Sequence, residues 1–183
     1  MNELALYRGA LVFAAVLELA FAGWIVRRRP EDRETLDRIP RARKCGTALG
    51  FLALLWCVPH ARPIVFDWML PWLYPAVIVC TALAYFFVDY LLSRALGGIF
   101  ILGAYFFVHG AFEFHTPGTA ALSLLYWGVG ILGICFSGKP CWMRDLLRKC
   151  AADARFRYAA AGAALLLAAA SLLAALLTKG SAA

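Results

Sequence analysis

Residues 4–29, LALYRGALVFAAVLELAFAGWIVRRR, decide the class of this protein. Within residues 5–26 the strongly polar side chains are Arg8, near the start, and Glu18, near the middle. As an α-helix this run would be about 33 Å long, which is enough to cross a hydrocarbon core of about 30 Å. The arginines at residues 27–29 follow the apolar run, whereas a cleaved secretory signal has its basic residues first. We therefore expect an uncleaved membrane-spanning helix.

The composition of the whole chain agrees with this expectation. The protein has 183 residues, 63% of them apolar and 16% charged, with a mean hydropathy of +0.75. A soluble domain is normally no more than about half apolar. The net charge of +7 lies in short stretches between apolar runs, where basic residues set topology and contact anionic lipid head groups. The sequence therefore predicts a single polytopic membrane domain in contact with the bilayer, and nucleic acid is not an expected partner.

The apolar runs predict an all-α bundle of six transmembrane helices. The spans are expected at residues 5–26, 46–65, 72–88, 95–110, 119–137 and 158–177, and the inner loops at residues 27–45, 89–94 and 138–157. The inner loops hold 15 of the 18 lysines and arginines, and the others are Arg8, Arg62 and Lys179. By the positive-inside rule this asymmetry predicts that both termini lie outside, and we expect a bacterial inner membrane.

The second span is the shortest in apolar length. Its uninterrupted part runs from Gly46 to Pro59, only about 21 Å of helix. It must tilt, thin the bilayer locally or continue towards Phe66. Gly46 and Gly50 form a G-x-x-x-G pattern, which allows another helix to approach closely. The fourth and fifth spans also carry glycines that indicate close packing: Gly97, Gly98, Gly103, Gly128, Gly130 and Gly133.

Both long inner loops are expected to contain a short helix. In the first, Glu34 and Arg38 can pair at i, i+4 before Pro40 ends the helix. In the second, the apolar positions Trp142, Leu146, Cys150 and Ala154 repeat at helical spacing, which predicts an amphipathic helix on the membrane surface. The residues expected to dock lipid or a partner are Arg27, Arg28, Arg29, Trp142, Arg144 and Arg148.

Glu18 is the residue in the spans that most favours a function. A charge near the centre of a span costs about 2.5 to 3.5 kcal/mol on insertion scales. We expect Glu18 to stay protonated or to find a hydrogen-bond partner inside the bundle, with Tyr85 or Tyr105 as candidates. A proton or cation relay and a plain helix–helix hydrogen bond are both open.

The predicted topology places all three histidines on the outer side. His60, His109 and His115 share that side with Asp67 and Glu113, and His109 and Glu113 lie four residues apart. Imidazole and carboxylate groups suit a transition metal, relay protons or contact a quinone head group, so a metal ion or quinone is a candidate cofactor. Separate interfacial residues are the alternative, since the spacing fits no known metal motif.

Three functions remain open on the sequence. The leading hypothesis is an accessory or scaffold subunit of a larger membrane complex, because several spans have small-residue faces and the inner surface is basic. Other membrane subunits or further copies of the chain are the expected partners. The second hypothesis is a small proton- or cation-coupled transporter or channel that uses Glu18. The third is a membrane redox or metal protein that uses the outer histidines. An enzyme is less favoured because the chain lacks G-x-S-x-G, H-E-x-x-H and phosphate-binding glycine-loop patterns.

Overall fold

The computed structural model describes residues 3–178, and its regular elements are all helical. The two chain termini and Lys179 lie outside the described residues. The helices are α1 (Glu3–Val26), α2 (Arg33–Arg38), α3 (Arg43–Ala61), α4 (Leu73–Phe87), α5 (Leu91–Glu113), α6 (Thr119–Gly138), α7 (Cys141–Ala152) and α8 (Ala154–Leu177), with 3-10 turns at Pro30–Asp32, Ile39–Arg41 and Asp67–Trp72.

Five segments are long and apolar enough to cross a membrane. They are Glu3–Val26, Asp67–Phe87, Leu91–Glu113, Thr119–Gly138 and Ala154–Leu177. These segments correspond to five of the expected spans and are compatible with an integral, multi-pass membrane protein. The helix expected as the second span, α3, forms but is not among the five. Its 19 residues begin with Arg43 and Lys44 and include His60, so its apolar part is shorter.

The third, fourth and last expected spans are longer than predicted, the last because α8 begins at Ala154 rather than residue 158. The third begins at Asp67 rather than residue 72, because the 3-10 turn runs directly into α4. The fourth, α5, extends beyond residues 95–110 at both ends. Arg94 is accommodated in its first turn because the guanidinium donates a hydrogen bond to the Ser137 carbonyl near the end of α6, at 3.0 Å. A cation near the last carbonyls of a helix is favourable.

The helices divide into two compact units. The first contains α1, α8, the end of α5, the start of α6 and the end of α7, within residues 3–33, 103–129 and 146–178. In this unit α1 and α8 are antiparallel: Arg8 Nε donates to the Ala175 carbonyl at 2.8 Å, and Arg157 donates to the Arg28 carbonyl at 2.7 Å. The core of the unit consists of Tyr7, Leu11, Ala104, Phe107, Ala111, Leu122, Tyr126, Ala174 and Ala175.

The second unit, residues 34–102 and 130–145, depends on close helix crossings. The start of α3 meets the start of α5, since a Cβ on Gly46 would lie 2.6 Å from the backbone nitrogen of Leu92. One turn further a Cβ on Gly50 would reach Ala95 Cβ at 3.8 Å, so α3 and α5 run parallel. The expected G-x-x-x-G contact is therefore present.

The loop that follows α1 contains the expected short helix, α2. The Arg38 guanidinium lies 2.5 Å from the Glu34 carboxylate, and the 3-10 turn that contains Pro40 follows. Both charged side chains are largely exposed, so the pair contributes at most about 0.5 kcal/mol. Leu36 and Pro40 are buried, and this apolar burial anchors the loop.

The loop expected at residues 138–157 contains the helix α7, which has one face buried by the protein. Met143, Leu147, Cys150 and Ala151 are buried, whereas Trp142 is half exposed. Steps of four residues turn by about 40° relative to a full number of turns, so a stripe built only from such steps drifts around the helix. Ala154 belongs to α8, because the Asp153 carboxylate accepts a hydrogen bond from the Arg155 backbone N–H and caps that helix.

Candidate functional site

The candidate site is a polar cluster on the packed face of α1. The buried residues of this helix recur at spacings of three, four or seven, which is the pattern of a helix with one face in a core. They are Tyr7, Leu11, Ala15, Ala22 and Ile25. Glu18 lies between Ala15 and Ala22 on the same face, three residues after the first and four before the second. The helix therefore directs Glu18 towards its neighbours rather than fully into lipid.

The neighbour of Glu18 is Ser171 on α8. The Ser171 Oγ lies 3.4 Å from Glu18 Oε2, 2.9 Å from the Leu167 carbonyl oxygen and 2.9 Å from the Tyr126 hydroxyl oxygen. Ser171 and Tyr126 are both buried, and Glu18 is half-buried. Stacking on Phe107, with ring centroids 4.5 Å apart, holds the Tyr126 ring in place. Three helices, α1, α6 and α8, thus contribute one polar group each.

This arrangement gives Glu18 a different partner from the tyrosines expected from the sequence. Tyr105 stacks on His109 at a centroid distance of 5.6 Å, and Tyr85 packs edge-on against Phe86. A tyrosine still takes part, but it is Tyr126, which acts through Ser171. The missed signal was Ser171 itself, the one hydroxyl residue between Tyr158 and Leu177 in the alanine and leucine run of α8.

A second set of hydroxyl groups lies near the end of α8. Thr178 Oγ1 is 3.1 Å from Thr116 Oγ1, and both side chains are buried. The Tyr7 hydroxyl interacts with the Thr116 side chain and donates to the Phe107 carbonyl at 3.2 Å. Thr119 at the start of α6 donates to the Ala111 carbonyl at 3.1 Å. Gly110 makes room for this packing, because a Cβ there would overlap the Tyr7 ring.

Arg8, a charged residue within the first expected span, is exposed but also contacts α8. It donates to the Ala175 carbonyl, in the last turn of α8. The last carbonyls of a helix have no partner within the helix and carry partial negative charge. The hydrogen bond therefore satisfies both the guanidinium and the helix end.

Of the three histidines expected on the outer side, His109 contacts Glu113, and the three form no cluster in the part of the chain that the structure describes. His109 Nε2 and Glu113 Oε2 are 3.9 Å apart on α5, as the i, i+4 spacing predicts. Both side chains are about half exposed or more. His115 has a left-handed backbone, with φ of 47° in the turn after α5, and His60 contacts the Trp56 carbonyl on its own helix.

A metal ion would need more ligands than that pair supplies. Among residues 3–178 no three His, Cys, Asp or Glu side chains come close enough together to hold a metal ion. Asp67 starts the 3-10 turn before α4 and does not complete such a group. The quinone and proton-relay alternatives for these residues stay predictions.

The residues expected to dock lipid or a partner differ in their exposure and in their contacts with other side chains. Arg27 and Arg29 are exposed. Arg28 lies over the Trp24 ring at 4.5 Å and 3.9 Å from Asp32, so it also holds the end of α1. The other three expected docking residues lie on α7. Trp142 is half exposed, and Arg148 is half-buried. Arg144 forms an ion pair with Asp145, with 3.0 Å between the charged groups.

Comparison of the chain with protein-family models, with curated proteins and with solved structures found no match.

Proposed function

We propose that this protein is a small membrane transporter or channel in which Glu18 binds the transported or coupling proton. The observation that carries the proposal is the position of the Ser171 hydroxyl among three polar groups: the Glu18 carboxyl, the Leu167 carbonyl and the Tyr126 hydroxyl. A serine that only joined two helices would need just one of these contacts. Because the Ser171 hydroxyl can rotate among three polar groups, it can form a hydrogen bond with Glu18 in either charge state of the carboxyl group.

The two states differ in the direction of the hydrogen bonds. When Glu18 is ionised, the Ser171 hydroxyl donates to the carboxylate and accepts from Tyr126. When Glu18 is protonated, its hydroxyl donates to Ser171, which turns to donate to the Leu167 carbonyl. Every buried polar group keeps a partner in both states, and an unsatisfied one would cost about 1 to 3 kcal/mol. The site can therefore gain and lose a proton without a rearrangement of the helices.

For transport tests, the protein is reconstituted into vesicles that contain a pH-sensitive dye, and a pH gradient is imposed. Decay of the gradient should be fast with the wild-type protein and close to that of empty vesicles with Glu18→Gln, which keeps the shape but cannot release a proton. Glu3→Gln is the matched control, since it makes the same change on the same helix and should behave as wild type. Equal decay with wild type and Glu18→Gln would refute the proposal.

We also propose that the chain crosses the membrane six times, with both termini outside. Antiparallel packing of α1 and α8 supports an even number of crossings, because it brings the start of one helix beside the end of the other. The parallel packing of α3 along α5 supports α3 as the sixth span. At about 1.5 Å per residue α3 is about 28 Å long, close to the thickness of the hydrocarbon core.

Single cysteines in a background without the native cysteines test this topology. Thr35 and Ile64 are both exposed and lie on either side of α3 in the sequence. An impermeant maleimide should label a cysteine at Thr35 only from the cytoplasmic side and one at Ile64 only from outside. Labelling of both positions from the same side would show that α3 does not cross, and outer labelling at Thr35 would overturn the orientation.

A role as an accessory subunit is the second candidate, and one observation favours it. The segment Asp67–Phe87 is the least buried of the five apolar segments, and Leu91–Glu113 is the most buried. Phe86 and Phe87 are more than two-thirds exposed. Native mass spectrometry after gentle extraction separates the candidates: larger unrelated subunits support the accessory role, and a monomer or homo-oligomer removes it.

A further inference from the structure

One face of α6 carries three hydroxyl groups in a row. Thr119, Ser123 and Tyr126 are spaced by four and then three residues, so they lie above one another on the helix. Thr119, at the start of α6, is half-buried and contacts carbonyl groups of the turn after α5. Tyr126, at the other end of the row, contacts Ser171 next to Glu18. The row thus connects the end of the unit with the proposed proton site.

Ser123, in the middle of this row, has an unusual environment. Its side chain is 9% exposed, and its Oγ is buried without a hydrogen-bond partner in the described part of the chain. Buried hydroxyl groups nearly always have a partner, either protein or ordered water. A water molecule at Ser123 would have the Thr119 and Tyr126 hydroxyls one helical turn to either side. A buried water needs two to four polar partners, and these hydroxyls with Ser123 Oγ are the ones that α6 would supply.

The end of the row joins the second set of hydroxyl groups. Thr116 contacts both Thr178 and Tyr7, and its carbonyl oxygen shares the Thr119 hydroxyl hydrogen with the Ala111 carbonyl. The next residue after α5, His115, is exposed beside Thr116. The hydroxyl groups therefore begin at the surface of this unit where α8 ends, and they continue to Glu18.

We infer that Thr119, Ser123 and Tyr126, with a water held at Ser123, form the access route by which Glu18 exchanges protons with the solution on one side. The inference rests on the proposed function and names its pathway. A proton that enters at Thr119 is passed as each hydroxyl or water accepts one hydrogen and releases another. Ser171 delivers the last proton to the Glu18 carboxylate. Each hydroxyl regains its proton, so the net change is one proton taken from solution and one carboxylate neutralised.

Few other titratable groups face Glu18 within this unit. Tyr126 of α6 lies behind Ser171, and Tyr7 of α1 interacts electrostatically with Tyr126. From α8 the facing groups are the Ser171 hydroxyl and small apolar residues. Exchange at neutral pH can therefore be assigned to Glu18.

Infrared spectroscopy can measure the exchange directly. The carboxyl band of protonated Glu18 is identified as the band that Glu18→Gln removes, and its shift is followed after transfer of the reconstituted protein into deuterated buffer. Ser123→Ala removes the group that holds the water, and we expect the exchange to slow about tenfold, equivalent to about 1.4 kcal/mol in the barrier. Thr119→Val should also slow it. Thr81→Val is the matched control, since the Thr81 hydroxyl bonds only to Val77 of its own helix, at 2.7 Å.

The outcomes separate the route from the site. Slower exchange in Ser123→Ala and Thr119→Val, with Thr81→Val as wild type, supports the route. Wild-type exchange in both route variants refutes it, even if Glu18→Gln still abolishes proton flux. If Glu18→Gln leaves the flux unchanged, the proposed function fails whatever the exchange rates are. Should Ser123→Ala not fold, Ser123→Cys keeps the size, replaces the hydroxyl with a weak hydrogen-bonding group and decides the same question.

A second measurement tests the side from which the route opens. A membrane-soluble carbodiimide modifies a carboxyl only when it is protonated, so its reaction with Glu18 reports the proton supply. In oriented vesicles the modification should follow the pH on the side where α8 ends. Modification that follows the pH on the opposite side would overturn the inference.

Discussion

Replacement of Gly97 by alanine should loosen the crossing of α5 and α6. A Cβ on Gly97 would lie 2.6 Å from the Gly133 carbonyl oxygen and 2.9 Å from the Ser137 backbone nitrogen. Both atoms belong to the backbone, so no side-chain rotation can relieve the overlap. A Cβ on Gly133 would reciprocally lie 2.7 Å from the Gly97 carbonyl oxygen. The two helices must separate by roughly 1 Å to restore ordinary contact distances of about 3.5 to 4 Å.

The cost of this separation can be worked out from two opposing effects. Overpacking of a close contact costs typically about 1 to 3 kcal/mol, and a gap of about 1 Å loses up to half of the attraction of each neighbouring atom pair. Alanine regains up to about 1 kcal/mol of intrinsic helix propensity over glycine. Gly97→Ala should therefore lower the free energy of unfolding by about 1 to 2 kcal/mol. The double variant Gly97→Ala/Gly133→Ala should lose less free energy of unfolding than the two single variants lose together, because the first substitution already separates the helices.

Reversible unfolding by sodium dodecyl sulfate in mixed micelles measures this difference. Gly103→Ala and Gly128→Ala are matched controls in the same two helices, because a Cβ at either position has no atom within 4 Å. Both should leave the protein equally stable or slightly more stable. If Gly97→Ala is as stable as Gly103→Ala, the close crossing of α5 and α6 is not present in the folded protein.

Three further changes test other parts of the structure. Ser171→Ala should lower the free energy of unfolding by about 1 kcal/mol, which is the size of a hydrogen bond inside a membrane. It should also reduce proton flux, but by less than Glu18→Gln does. An unchanged flux would show that Ser171 does not serve Glu18. Gly46→Ala should weaken the packing of α3, measured as faster proteolysis of the first inner loop, and an unchanged rate would contradict the parallel contact. Burial raises the pKa of the Cys150 thiol and shields its sulfur from reagents. A single cysteine at position 150 should therefore react with maleimide more slowly than one at the less buried position 141, and its rate should rise as the pH passes the usual thiol value of about 8.5. Equal rates at the two positions would refute the burial of Cys150.

Much of the fold could be predicted from local patterns. Long apolar runs must form helices in a membrane, because a lipid-exposed backbone has to satisfy its hydrogen bonds internally. Five of these runs are the apolar segments of the structure, and the short helix with the Glu34–Arg38 pair appears where expected. The repeat of α7, followed in steps of four residues, did not indicate which of its side chains the protein would bury. The helix α3 was harder to judge, since Arg43, Lys44 and His60 shorten its apolar part.

By itself the sequence determined that the chain is helical, that several of its helices are apolar enough to cross a membrane, and that one carboxyl group lies in the middle of the first apolar run. These properties depend on composition and on residues close together in the chain. Only the tertiary structure decided what Glu18 meets, because Ser171 lies 153 positions away and its distance depends on the antiparallel packing of α1 on α8. The same packing brings Tyr126 to Ser171 and isolates the Ser123 hydroxyl. Hydrogen bonds between distant helices leave no periodic signal in a single sequence, so the candidate site became visible only when the helices were placed together.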